Sequence, residues 1–293
     1  MSANFNLDSI ALLVEFNSSI WTARRLDRNK STEVVQKASA QQKGAARVTK
    51  NLLAGRPELE EITSLVGAAR TYVYDNTLPW SNNGQRLLVT TRLPKFDARM
   101  QLFKEEFEAK VDGFVSVYPT LITAQAMALG DMFNRAEFPQ ASEIRTKFAF
   151  SFDYLPVPAA GDIRVDIGTQ AQEELRERLE HMSVVRVEKA MAEINEKLST
   201  HLRRMADRLT TDTNPDTGEG TVRRFTDTLV SGALELCDLV ADYNVTGDAT
   251  LAQARRQLET ALSGVTAQTL RDDPAKREDV RTAVNDILNK FTF

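Results

Sequence analysis

One stretch constrains this chain more than any other. Residues 170–209 are rich in Glu, Arg, Ala, Leu and Met, with Leu175, Leu179 and Met182 followed by Met191, Ile194, Leu198, Leu202, Met205 and Leu209 at threes and fours. That spacing predicts one amphipathic helix. At 1.5 Å per residue it would be roughly 60 Å long, more than a compact domain needs, so a coiled-coil stalk or a helical hairpin is expected. Either form requires apolar partners, in the same chain or another copy. Leu198, Leu202, Met205 and Leu209 are the candidate contacts.

The rest of the 293 residues divides around that helix. With 42% hydrophobic and 27% charged residues the chain can build a packed core, and its length suggests about two structural units. Three consecutive regions are expected: 1–56, an N-terminal strand and basic arm; 57–168, a mixed α/β region; and 169–293, a helical, coiled-coil-containing region. The fold class is mostly α with a small β element.

Within 10–22 the apolar positions fit a strand or a helix, and the concentration of Val, Phe, Ile, Trp and Thr favours the strand. After Pro57, Leu59, Ile62, Leu65, Val66 and Ala69 mark a short helix. Thr77-Leu78-Pro79-Trp80 and the Asn83-Gly84 turn signal interrupt the pattern, and a strand follows from Arg86. Phe103, Phe107, Val111, Phe114 and Tyr118 then predict a helix with a buried aromatic stripe, bent at Pro119. Alternation at Phe148, Phe150 and Phe152, and again at Ile163, Val165 and Ile167, reads as a β-hairpin near 147–167. Later helices cover 222–240, with Cys237 on the apolar side, then 249–262 capped by Asp248, and a last one opened by Asp273-Pro274.

Candidate chemistry is sparse. No glycine-rich nucleotide loop, phosphate-binding loop or nucleophile elbow occurs. The two histidines, His181 and His201, are 20 residues apart, about 30 Å along one helix, and cannot share an ion within a monomer. Asp212, Asn214 and Asp216 imitate the start of a calcium loop, but Thr217 and Arg223 stand where Gly and Glu are needed. Acidic pairs such as Glu105-Glu106 read as solvated faces. No catalytic residue, metal ligand or cofactor is therefore assigned, and a non-enzymatic role is expected. Nothing resembles a secretory leader or a membrane span, so the expected setting is the cytoplasm.

Charge supplies the main functional signal. The chain carries a net −4, yet residues 21–56 hold nine Lys and Arg against two acids, a net +7. Arg24, Arg25, Arg28, Lys30, Lys37, Lys43, Arg47 and Lys50 on an exposed helix or arm could neutralise phosphates. They could equally dock on the acidic helical half of this chain or a neighbour, or remain solvated. Trp21 and Trp80 are candidate aromatic anchors for a partner, although a Trp80 folded back onto a core is the simpler arrangement.

Several phrases together resemble a known family. They are Ile20-Trp21-Thr22-Ala23-Arg24-Arg25-Leu26-Asp27, Thr77-Leu78-Pro79-Trp80, Phe114-Val115-Ser116-Val117-Tyr118-Pro119, Ala128-Leu129-Gly130-Asp131-Met132-Phe133, and Leu155-Pro156-Val157-Pro158 followed by Asp162-Ile163-Arg164-Val165. Their order is similar to the family known as domain of unknown function 3150, found in tailed bacteriophages and bacteria. The resemblance implies a viral or prophage origin. Some members are encoded beside MoxR-type AAA+ ATPases and von Willebrand factor A-like proteins, which makes an AAA+ ATPase a candidate partner. Lacking a nucleotide loop, this chain would accompany such a motor. The expected function is a self-assembling scaffold or adaptor that forms a homo-oligomer, with a nucleic-acid-binding accessory role as the alternative.

Overall fold

The computed structural model describes residues 7–42, 44–158, 169–213 and 220–291. Its elements run α1 (Leu7–Ile10), β1 (Ala11–Ser19), β2 (Arg24–Asp27), α2 (Arg28–Lys37), β3 (Val48–Asn51), α3 (Pro57–Asn76), β4 (Leu78–Pro79), β5 (Arg86–Val89), α4 (Leu93–Leu129), α5 (Ala141–Ile144) and β6 (Ala149–Pro156). The second half continues with α6 (Thr169–Arg208), β7 (Thr211–Thr213), β8 (Gly220–Val222), α7 (Thr228–Tyr243), α8 (Ala249–Leu262), α9 (Ala267–Asp272) and α10 (Pro274–Lys290). The protein is 67% helical with a small antiparallel sheet, so the mostly α class holds. The larger sheet has the order β4-β5-β1-β6.

Two compact units result, each drawn from separated stretches of chain. The first takes residues 1–15, 76–94 and 154–293, and the second takes 16–75 and 95–153. β1 supplies its first half to one unit and its second half to the other.

The first unit is a helical bundle over a short sheet. β1 pairs antiparallel with β5 through Ala11↔Val89 and Leu13↔Leu87, and β5 pairs with β4 through Leu78↔Leu87. Leu13 and Val14 are both buried, so this part of the strand is covered on both faces. Above it, α6 packs on α7 and α10. Ile194, Leu198, Leu202, Met205 and Leu209 are at most 1% exposed among Ala233, Val240, Leu258 and Val284. Each fully buried leucine contributes about 1.5–3 kcal/mol. Gly232 of α7 sits close against α6: a Cβ there would lie 3.2 Å from the His201 ring, which would have to shift by a few tenths of an ångström. The caps behave as expected, with Asp248 accepting from the Thr250 and Leu251 amides and Asp273 from the Lys276 amide.

Aromatic rings hold the second unit together. The stripe on α4 is buried as expected, and Pro119 lies inside the continuous helix. Phe114 meets Phe148 at 5.5 Å between ring centres, Phe107 meets Phe150 at 5.4 Å, and Phe16 of β1 meets Phe150 at 4.9 Å. The first arm of the expected β-hairpin is β6, whose neighbour in the sheet is β1. The second arm, 163–167, lies outside the described residues.

Candidate functional site

The basic segment folds into a small β-α-β motif instead of a free arm. Asp27 ends β2 and caps α2 by accepting from the Lys30 amide at 2.9 Å. Ser31 then accepts from the Val48 amide at 2.9 Å, fixing α2 to β3. β2 and β3 form an antiparallel ribbon with Arg24↔Asn51, Arg25↔Lys50, Leu26↔Thr49 and Asp27↔Val48. Directly opposed residues share a face, so Arg25, Asp27, Val48 and Lys50 are on one side and Arg24 and Leu26 on the other.

This geometry sorts the expected basic residues. Lys50 departs from expectation: its side chain is 8% exposed, with Nζ 2.6 Å from Glu137 Oε2 and 4.0 Å from Asp27 Oδ2. It also donates to the Met132 carbonyl at 2.9 Å. A buried ammonium needs such partners to remain charged, and it is unavailable to an external phosphate. Lys30 and Lys37 flank Glu33 at 2.7 and 2.9 Å and hold its carboxyl down at about 2. Lys43 lies outside the described residues. Arg24, Arg25, Arg28 and Arg47 are exposed, and no carboxylate among the described residues pairs with them.

Beneath the ribbon is a cavity of about 500 Å³ lined by Asp27, Arg28, Lys30, Lys50, Asp131 and Glu137 among others. Three acids and three bases balance there, so it has no strong charge preference. A larger and shallower groove between α8 and α10 mixes the apolar Ala261, Ala283 and Ile287 with the polar Gln253, Arg256 and Asp286.

The expected partner contacts on the long helix are also redistributed. α6 is unbroken over 40 residues. Leu198, Leu202, Met205 and Leu209 are consumed by the chain's own bundle and cannot meet a partner. Trp80 is 4% exposed in the same core, with the Arg186 guanidinium 5.4 Å from its ring centre. Trp21 is half-buried and stacks edge-on to Tyr118 at 5.7 Å. Trp80 is thus folded back onto the core, while Trp21 keeps part of its ring exposed.

What remains on α6 is its first half. Leu175 and Leu179 are half-buried, Met182 is 39% exposed and Val185 is 46% exposed. With about 100° of turn per residue, Leu175, Leu179 and Met182 lie within about 60° of one another, and the buried stripe from Val187 to Leu209 is turned by roughly 120° from them. The helix therefore carries two apolar faces. One is used by its own bundle, and on the other Leu175 and Leu179 are half-buried and Met182 is exposed.

Reactive side chains are tied into structure. His201 lies with Nε2 3.1 Å from the Leu229 carbonyl, and burial lowers its pKa. Cys237 is 1% exposed, and burial pushes its thiol up to about 12. Asp212, the first residue of the calcium-like phrase, is bound by Arg223 at 2.9 Å, which lowers its pKa. Among the described residues no three His, Cys, Asp or Glu side chains are grouped to hold a metal, and no helix is long and apolar enough to cross a membrane. No known family, curated protein or solved structure matches the chain.

Proposed function

We propose that this is a non-enzymatic interaction protein, a scaffold or adaptor that assembles with copies of itself through the first half of α6. The observation that carries the reading is the second apolar stripe at Leu175, Leu179 and Met182, where Met182 is exposed and the two half-buried leucines keep part of their surface in water although the second half of the helix is packed. A second copy is a fitting occupant because charges of both signs flank this face. Glu173, Glu174, Glu177 and Glu180 alternate with Arg176, Arg178 and Arg186, so two such helices can pair without net repulsion. Taking Met182 and the remaining exposed parts of Leu175 and Leu179 out of water contributes to that association at about 25 cal/mol per Å² of apolar surface.

The tying of His201 and Cys237 into packed structure supports a role without covalent or acid–base chemistry. A cytoplasmic setting, in a bacterial host if the chain is phage-encoded, fits a lone cysteine kept as a buried thiol. Partnership with an AAA+ ATPase rests on the family resemblance of the five phrases given above.

Light scattering coupled to gel filtration tests the assembly. The wild type at micromolar concentration should have a multiple of the 32.7 kDa chain mass. Leu175→Glu with Leu179→Glu should reduce it to one chain mass while the circular dichroism spectrum is retained. A wild type that is strictly monomeric refutes the proposal.

A further inference from the structure

Tracing the described cations from Arg24 to Lys50 to their partners leaves a localised surplus. Lys50 pairs with Glu137, and Lys30 and Lys37 share Glu33, whereas Arg24, Arg25, Arg28 and Arg47 are exposed on the β2-α2-β3 motif with no carboxylate partner among the described residues. Their placement follows the ribbon. Arg25 is directly across the ribbon from Lys50, whose ammonium is turned to Glu137, and is left as the exposed cation of that pair. Arg28 and Arg47 adjoin the last ribbon pair, Asp27↔Val48, and bring further positive charge to that end. Arg47 lies three residues along the chain from Lys50, the partner of Arg25, about 10 Å at 3.4 Å per residue. Arg24 projects from the other face, so the ribbon's edge carries charge on both sides.

We propose that this ribbon binds the phosphodiester backbone of nucleic acid. A guanidinium offers paired N–H donors that match two oxygens of one phosphate, and it stays charged at any physiological pH. Four arginines spread along a ribbon suit a polyanion with regularly repeated charges better than a single small anion. No base-reading platform accompanies the arginines: Leu26 is the exposed apolar side chain on β2, and Trp21 is engaged by Tyr118. Binding is therefore sequence-independent and carried by charge. This activity does not depend on assembly through α6.

The test is fluorescence anisotropy of the full chain with labelled DNA of 20 nucleotides, single-stranded and duplex, over 50–200 mM salt. Four phosphate contacts give a slope of log affinity against log salt near −3.6 for duplex and near −2.8 for single strands. Over that range the duplex affinity should fall about 150-fold. Each of Arg24→Gln, Arg25→Gln, Arg28→Gln and Arg47→Gln should reduce the slope by about 0.9 on duplex. Arg256→Gln, on the α8/α10 groove, should leave it unchanged. Single variants with wild-type circular dichroism and Trp21 emission keep the measurement interpretable if the quadruple variant misfolds. Absence of binding to both DNA forms at 50 mM salt overturns the proposal. So does a salt slope that none of the four substitutions reduces.

Discussion

Arg86 is the most exacting test of how the first unit is held together. It is 7% exposed at the start of β5, and its Nε donates to Thr77 Oγ1 at 2.7 Å. Its Nη2 donates to the Thr77 carbonyl at 2.8 Å and to Glu193 Oε1 of α6 at 3.1 Å. Arg86→Met keeps most of the apolar stem and removes every donor. Hydrogen bonds from a charged donor contribute about 1.5–3 kcal/mol each, and an acceptor stranded in the interior costs about 1–3 kcal/mol. Thr77 is fully buried and cannot turn to water, whereas the Glu193 side chain is 27% exposed and retains Lys197 at 3.1 Å. The net loss should be about 3 kcal/mol. Glu193→Gln should cost only about 1 kcal/mol, because partial exposure screens the pair and the amide still accepts. The double variant should fall short of the sum by about 1 kcal/mol, since the two side chains share one contact. Urea unfolding reads these values if the two units are followed separately. Trp80 belongs to the first unit and Trp21 to the second, so a Trp21→Phe background reports the first alone. If Arg86→Met costs no more than Glu193→Gln, the buried bonds to Thr77 do not contribute to holding β5 beside β4.

Two further outcomes follow from buried titratable groups. Burial lowers the pKa of His201 from 6.5, so the unfolded chain takes up the proton first and folding stability falls as pH drops from about 7 toward the folded value. His201→Gln keeps a donor for the Leu229 carbonyl, and its urea midpoint should lose less between pH 7.5 and 5.5 than the wild type's; equal losses would disprove the assignment. Cys237, with its thiol raised to about 12, should resist a chromogenic disulfide reagent at pH 8 in the native protein and react once urea is added. Rapid stoichiometric labelling of the native chain would show that the thiol is not buried.

Local physics was readable from the sequence, and long-range pairing was not. Asp248 and Asp273 were recognisable as caps because a cap's partner is three residues away, and the α4 aromatics because their period is that of a helix. Lys50 looked like its basic neighbours, since its Met132 and Glu137 partners lie on a distant turn that composition cannot reveal. The Arg86–Glu193 contact spans 107 residues and was invisible for the same reason. On α6, periodicity showed that Leu198, Leu202, Met205 and Leu209 must be covered, but not by what. The cover is the chain's own α7 and α10, and the second stripe at Leu175 and Met182 emerges only when the turn between the two stripes is followed along the helix.

The discontinuous make-up of the two units sets an order of events on the ribosome. Everything the second unit needs, 16–75 and 95–153, has been synthesised once residue 153 is added, so that unit can mature while translation continues. The β1 and β5 pieces of the first unit have been made by then as well, yet Leu13, Leu87 and Trp80 must wait for α6 and α7 before they are sealed. During that interval the nascent chain exposes a greasy hairpin, the stage at which a chaperone would have most to hold.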